Sequence, residues 1–148
     1  MRFGNKKYMK IHIIILVLVC ALSCSDARDA ATSTDKENIQ GAWLGQTESL
    51  NGTKKDVSFL YVFKGDTLSF TDETGKEMKY SFKLDTIAKP RLLIIRSEDT
   101  VTNPSPVSVG YELNGDLLKI VVAPPGLHPI EISDRNNQEL IICKRKGS

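Results

Sequence analysis

Apolar and polar positions divide the chain into two unlike parts. From Ile11 to Leu22 the residues form one short, nearly continuous apolar run. Beyond it, apolar residues recur at every second position. Val57, Phe59, Tyr61 and Phe63 alternate in this way, with Leu60 and Val62 between them. So do Leu68 and Phe70, then Met78, Tyr80, Phe82 and Leu84, then Val107, Val109, Tyr111 and Leu113, then Leu118, Ile120 and Val122. Leu92 to Ile95 and Leu140 to Cys143 are brief apolar stretches. A period of two marks strands with one buried and one wet face. Only residues 35–40 suggest a turn of helix, with Thr34 or Asp35 as its cap.

The connections fit hairpins. Lys64-Gly65-Asp66, Glu73-Thr74-Gly75 and Asn114-Gly115-Asp116 each sit between two alternating runs, and glycine supplies the positive φ a tight hairpin needs. Two longer connections, Ser97 to Pro106 and Ala123 to Pro129, are proline-bearing loops of the kind that carry binding residues at a barrel mouth. About eight sequential strands leave two bare edges if open and none if closed. The expected fold is therefore all-β: a single antiparallel, up-and-down barrel of about eight strands over residues 37–146.

The N-terminal run changes where this domain is expected to be. Arg2, Lys6, Lys7 and Lys10 precede it and Ser23-Cys24 follows, which is the layout of a secretory signal peptide over residues 1–23. A dozen or so apolar residues are too few to span a bilayer as a helix. Ala21-Leu22-Ser23-Cys24 resembles a bacterial lipobox, in which Cys24 is lipidated and becomes the first mature residue. Ala21 and Ser23 also suit an ordinary signal peptidase, which would leave Cys24 free or cut after Ala27. The small polar stretch that follows favours the lipid anchor, with residues 24–36 as a flexible tether. Ser25 rather than Asp after the cysteine leans towards an outer membrane.

Removing the signal reverses the charge. The chain carries 20 Lys and Arg against 18 Asp and Glu, and the four basic residues before Cys24 leave 16 against 18, a net of −2. No basic patch remains to argue for nucleic acid. Lys144-Arg145-Lys146 reads as a solvated tail rather than an anionic-lipid contact. Of three cysteines, Cys20 lies in the signal and Cys24 is the lipidation candidate, so only Cys143 remains and no internal disulfide framework is expected. Its apolar neighbours predict a buried, inert thiol. Cys24 to Ser148 is enough chain for one hydrophobic core.

Candidate chemistry is sparse. His12 lies in the signal, leaving His128, in a proline-rich loop, without a second histidine or cysteine pair for a metal site. There is no Gly-x-Ser-x-Gly elbow for a serine nucleophile. Asp66, Asp85 and Asp116 stand at strand ends, where aspartate most often bonds the turn backbone. Asn51-Gly52-Thr53 fits a glycosylation sequon but reads first as a turn. No cofactor is implied.

Gly41-Ala42-Trp43 has the Gly-x-Trp form found at the first strand of lipocalins, where the tryptophan plugs the closed end. Gln40-Gly41-Ala42-Trp43, Lys64-Gly65-Asp66, Tyr80-Ser81-Phe82-Lys83-Leu84-Asp85, Lys89-Pro90, Gly110-Tyr111-Glu112-Leu113-Asn114-Gly115-Asp116-Leu117 and Ala123-Pro124-Pro125-Gly126 follow in that order. Together they resemble the small exported domain of unknown function expanded in planctomycete bacteria, often a lipoprotein. Where that family often has Arg-Pro, this chain has His128-Pro129. Ile94 replaces a common acidic residue, and Val121 or Val122 a common cysteine. The resemblance implies a lipocalin-like barrel and no established activity. The expected role is a non-catalytic envelope module, held to a membrane by its N-terminal lipid, that binds a small apolar ligand or a partner protein. The alternatives are a structural or assembly protein with a fully packed barrel and, less favoured, a hydrolase.

Overall fold

A computed structural model describes residues 34–98 and 105–147; the segment read as an export signal, Cys24 and residues 25–33 of the expected tether lie outside them. The strands are β1 (Gly41–Leu50), β2 (Thr53–Asp56), β3 (Leu60–Lys64), β4 (Thr67–Thr71), β5 (Glu77–Asp85), β6 (Leu92–Ser97), β7 (Val107–Asn114), β8 (Leu117–Val122) and β9 (Glu139–Arg145). A helical turn, α1 (34–38), precedes them. Every pairing is antiparallel, in the order β1-β3-β4-β5-β6-β7-β8-β9, and β9 returns to β1. The result is a closed eight-stranded barrel, with β2 added as a hairpin on the far half of β1. Closure removes the free edges that an open meander would leave.

Local chemistry accounts for the turns. Gly65-Asp66 joins β3 to β4 and Gly115-Asp116 joins β7 to β8, with φ of 62° and 57° at the glycines alone. Glycine first with positive φ there is the pattern of a type II′ hairpin, whose twist matches its strands. Asn51 and Gly52 are both left-handed, as a type I′ turn requires, so the sequon residues form the β1–β2 hairpin. That hairpin departs from the sequence reading. Thr53–Asp56 is exposed throughout and carries no apolar alternation to reveal a strand. The strand expected from Val57 begins at Leu60. Residues 57–59 instead cross back, with the Gly45 amide donating to the Phe59 carbonyl at 2.9 Å.

The core lies inside the barrel. Trp43, Phe63, Leu68, Phe82, Leu93, Tyr111, Leu118 and Cys143 are all nearly or wholly buried. The alternating positions point at the axis, as their shared rungs require: Phe63 opposite Leu68, Phe82 opposite Ile95, Tyr111 opposite Ile120. Cys143 is a free, buried thiol, and desolvation pushes its pKa up to about 12. Outside the barrel, the strand-free segment 123–138 lies over β7. A Cβ on Gly110 would meet Pro129, Ile132 and Pro90 at 3.2–3.3 Å. Gln138, buried in this segment, accepts from the Ile130 amide and donates to the Glu131 carbonyl.

Candidate binding site

The strand directions give the barrel two different ends. The turns at Gly65-Asp66 and Gly115-Asp116, the 86–91 connection and α1 gather at one end. The β2 excursion, the 72–76 turn, the connection from β6 to β7 and segment 123–138 gather at the other. Both proline-bearing loops thus leave from the same end.

The first end is sealed. Trp43 is fully buried, and its indole Nε1–H donates to the Ile39 carbonyl at 2.7 Å. Arg145 lies over the indole, its guanidinium carbon 4.2 Å from the ring centroid. The same side chain donates to the Gln40 and Asn38 carbonyls at 2.7 and 2.6 Å and to Asp116 Oδ1 at 3.1 Å. A helix leaves its last carbonyls without partners; here Trp43 and Arg145 supply them. Gln40 clips the β3–β4 turn, accepting from the Gly65 amide at 2.8 Å. Asp35 Oδ2 accepts from Tyr111 Oη at 2.7 Å and Arg91 Nη1 at 2.6 Å. Burial, then that bond, push the Tyr111 phenol above its ordinary range.

This geometry revises four readings. Asp35 holds the barrel rather than capping α1, and residues 34–36, read as tether, dock with it. Arg145 is a structural seal, not part of a solvated tail. Of the three strand-end aspartates, Asp85 does bond turn amides, those of Ile87 and Ala88. Asp66 instead pairs with Lys36 at 2.6 Å, and Asp116 with Arg145.

The other end is less completely covered. Phe59, Tyr61 and Phe70 pack together with ring centroids 5.0–5.5 Å apart. Tyr61, Phe70, Met78, Tyr80, Ile95 and Val122 share the axis-facing side yet stay half-buried, and at the rim Leu50 and Val107 are 46% and 47% exposed. Two carboxyl groups enter this apolar setting. Glu139 stands opposite Leu50 on β1 and Val122 on β8; Glu48 stands opposite the buried Ile141. The two carboxyl groups face each other closely enough to interact. The Glu48 carboxyl beside it, with burial, pushes the Glu139 pKa up to about 7. Glu139 in turn holds Glu48 below its ordinary value, helped by Lys55 Nζ at 2.8 Å. Desolvation raises the Tyr61 phenol, which faces the same groups.

The sequence reading missed Glu48 because strict alternation from Trp43 puts it outside. The register slips between Gly45 and Thr47, and the bulge turns Glu48 inward. Gly45 makes the bend tenable, since a Cβ there would sit 2.5 Å from the Phe59 ring. A lone glycine inside a strand was the available signal.

The residues singled out from the sequence do not converge on one site. Gly41, Trp43, Gly65, Asp66, Gly115 and Asp116 belong to the sealed end. Gly110 admits the segment outside, and Tyr111 points in. Pro124, Pro125 and Gly126 form a turn in which the Leu127 amide donates to the Pro124 carbonyl at 3.0 Å, with Gly126 at φ 81°. His128 is exposed beside them, at a recess of about 350 Å³. A larger recess, about 540 Å³, lies on the outer side of β5 and β6. Among the described residues no group of three His, Cys, Asp or Glu is placed to hold a metal ion. The chain matches no protein-family profile, no curated protein and no solved structure.

Proposed function

We propose that this chain is an exported bacterial envelope lipoprotein, anchored through Cys24, whose barrel is a non-catalytic module that binds a small, largely apolar ligand at its mouth. The observation that carries the binding role is the contrast between the ends. One is closed by a network in which each polar group has its partner. At the other, half-buried aromatic and aliphatic side chains surround a carboxyl pair. Apolar concavities with a few convergent polar groups are the usual form of small-molecule sites. The Glu48–Glu139 pair would orient a ligand bearing a hydrogen-bond donor. The export reading rests on the basic head, apolar run and Ala21-Leu22-Ser23-Cys24 of the sequence, and the resemblance to exported planctomycete-type domains agrees with it.

Native mass spectrometry of the chain purified from its host tests the binding role. The expected result is a retained small molecule that is lost on Phe70→Ala. A ligand-free protein that also fails to take up lipophilic probes would overturn it. One observation favours the alternative of a packed, structural barrel: Trp43, Phe63, Phe82 and Tyr111 fill the lower interior, and a recess of about 540 Å³ lies outside it. The anchor is tested separately: Cys24→Ser should abolish fatty-acid labelling and release the protein from membranes.

A further inference from the structure

The outer surface of β4–β6, with the sealed end below it, is unusually basic. One rung across the sheet reads Lys64, Thr67, Ser81, Arg96, all on the outer side. Lys83, opposite Ile94, flanks it and, with Arg96, Ser81 and Lys36, lines the recess of about 540 Å³. Lys64, Lys83 and Arg96 make no ion pair among the described residues. The nearby carboxylates are engaged, Asp66 by Lys36 and Asp85 by two turn amides. At the tip of the β5–β6 connection Ile87 is 63% exposed, with exposed Lys89 two residues on. The mouth differs in sign: Glu48, Asp72, Glu73, Glu77, Asp134 and Glu139 lie on its strand ends and loops.

We propose that this basic face and the Ile87 tip form a docking surface for anionic membrane lipid, so that the barrel rests with its β4–β6 wall and the Ile87 tip towards the bilayer. Charge complementarity names the partner: each cation near an anionic lipid surface adds about fivefold to partition, and an exposed apolar tip adds to it. The position of the chain's start agrees. The orientation rests on the lipid-anchor reading above: nine residues separate Cys24 from Thr34. An extended chain of that length reaches about 35 Å. Since α1 sits at the sealed end, a lipid on Cys24 lets the Ile87 tip and the adjoining wall reach the membrane.

The test uses a chain starting at Ser25, which keeps every described strand and lacks the anchor, so that its outcome is independent of whether Cys24 is lipidated. Sedimentation with phosphatidylglycerol vesicles in low salt should show binding that is absent with phosphatidylcholine vesicles and lost in high salt. Lys83→Gln with Arg96→Gln should weaken it about 25-fold, and Ile87→Ala by about tenfold. Lys54→Gln with Lys76→Gln, at the mouth end, should leave it unchanged. Trp43 emission shows whether each variant is folded. Equal binding to both vesicle types would overturn the proposal. So would equal losses from the mouth-end variants, or capture of soluble glycerol phosphate without vesicle binding.

Discussion

At the sealed end, Arg145 alone joins β9 to the β7–β8 turn, to α1 and to the indole of Trp43. At the mouth, the same two strands, β1 and β9, bring Glu48 and Glu139 together among aromatic rings. The first arrangement pairs opposite charge and fills space. The second places like groups side by side and leaves apolar surface partly wet. Buried polar networks that are fully satisfied rigidify a structure, whereas like groups held together in apolar surroundings cost stability. The difference separates what holds the barrel together from what it has available for a ligand.

If the contrast is real, the largest loss should come from the plug. Trp43→Ala should destabilise the domain by about 3–5 kcal/mol, read from denaturant unfolding, a large part of a total of about 5–15. The wild-type indole should emit in the blue and resist iodide; emission like that of free tryptophan would break the comparison at its root. Arg145→Ala should come next, at about 2–3 kcal/mol, since it removes a cation–π contact and the donors for two carbonyls. A loss no greater than that of a surface lysine would mean that α1 seals the end without it.

The smallest effect should come from the mouth and is best read against pH. Glu139 titrates near 7 in the folded chain against an ordinary value of 4.5. The folded state therefore binds more protons than the unfolded one between those values, and stability should fall as pH rises through that window. Glu139→Gln should remove that fall, leaving the variant more stable than wild type at pH 8 and little changed at pH 4.5. Parallel pH profiles for the two proteins would show that the carboxyl pair is not formed. The lowered pKa of Glu48 acts below this window.

What could be read from the sequence follows the same division. Trp43 was legible because Gly-x-Trp stands just before a run of hairpins, and the turns were legible because their glycines serve a local need. Arg145 was not, since a basic triplet at a chain end carries no sign that β9 will lay it across an indole. The mouth was hidden more deeply. Glu48 faces inward only through the slip beside Gly45, and a one-residue shift reverses every later side chain. Glu139 precedes an apolar run whose alternation is blurred by Leu140 and Ile142, which point away from the axis. Local chemistry announced the end that is held by local geometry. Long-range register made the other.

The pairing of the first barrel strand with the last also sets a schedule. Thr47 meets Ile142 only after the intervening chain has been ordered or carried along. Topologies dominated by such distant pairings fold in milliseconds to seconds rather than microseconds. A chain emerging from a ribosome holds β1 to β8 before β9 arrives, with β1 and β8 as bare edges open to any other strand. Arg145 closes β9, so the residue that locks the sealed end arrives after every other strand. A truncation of a few C-terminal residues would therefore stall the barrel as an aggregation-prone sheet rather than shorten it.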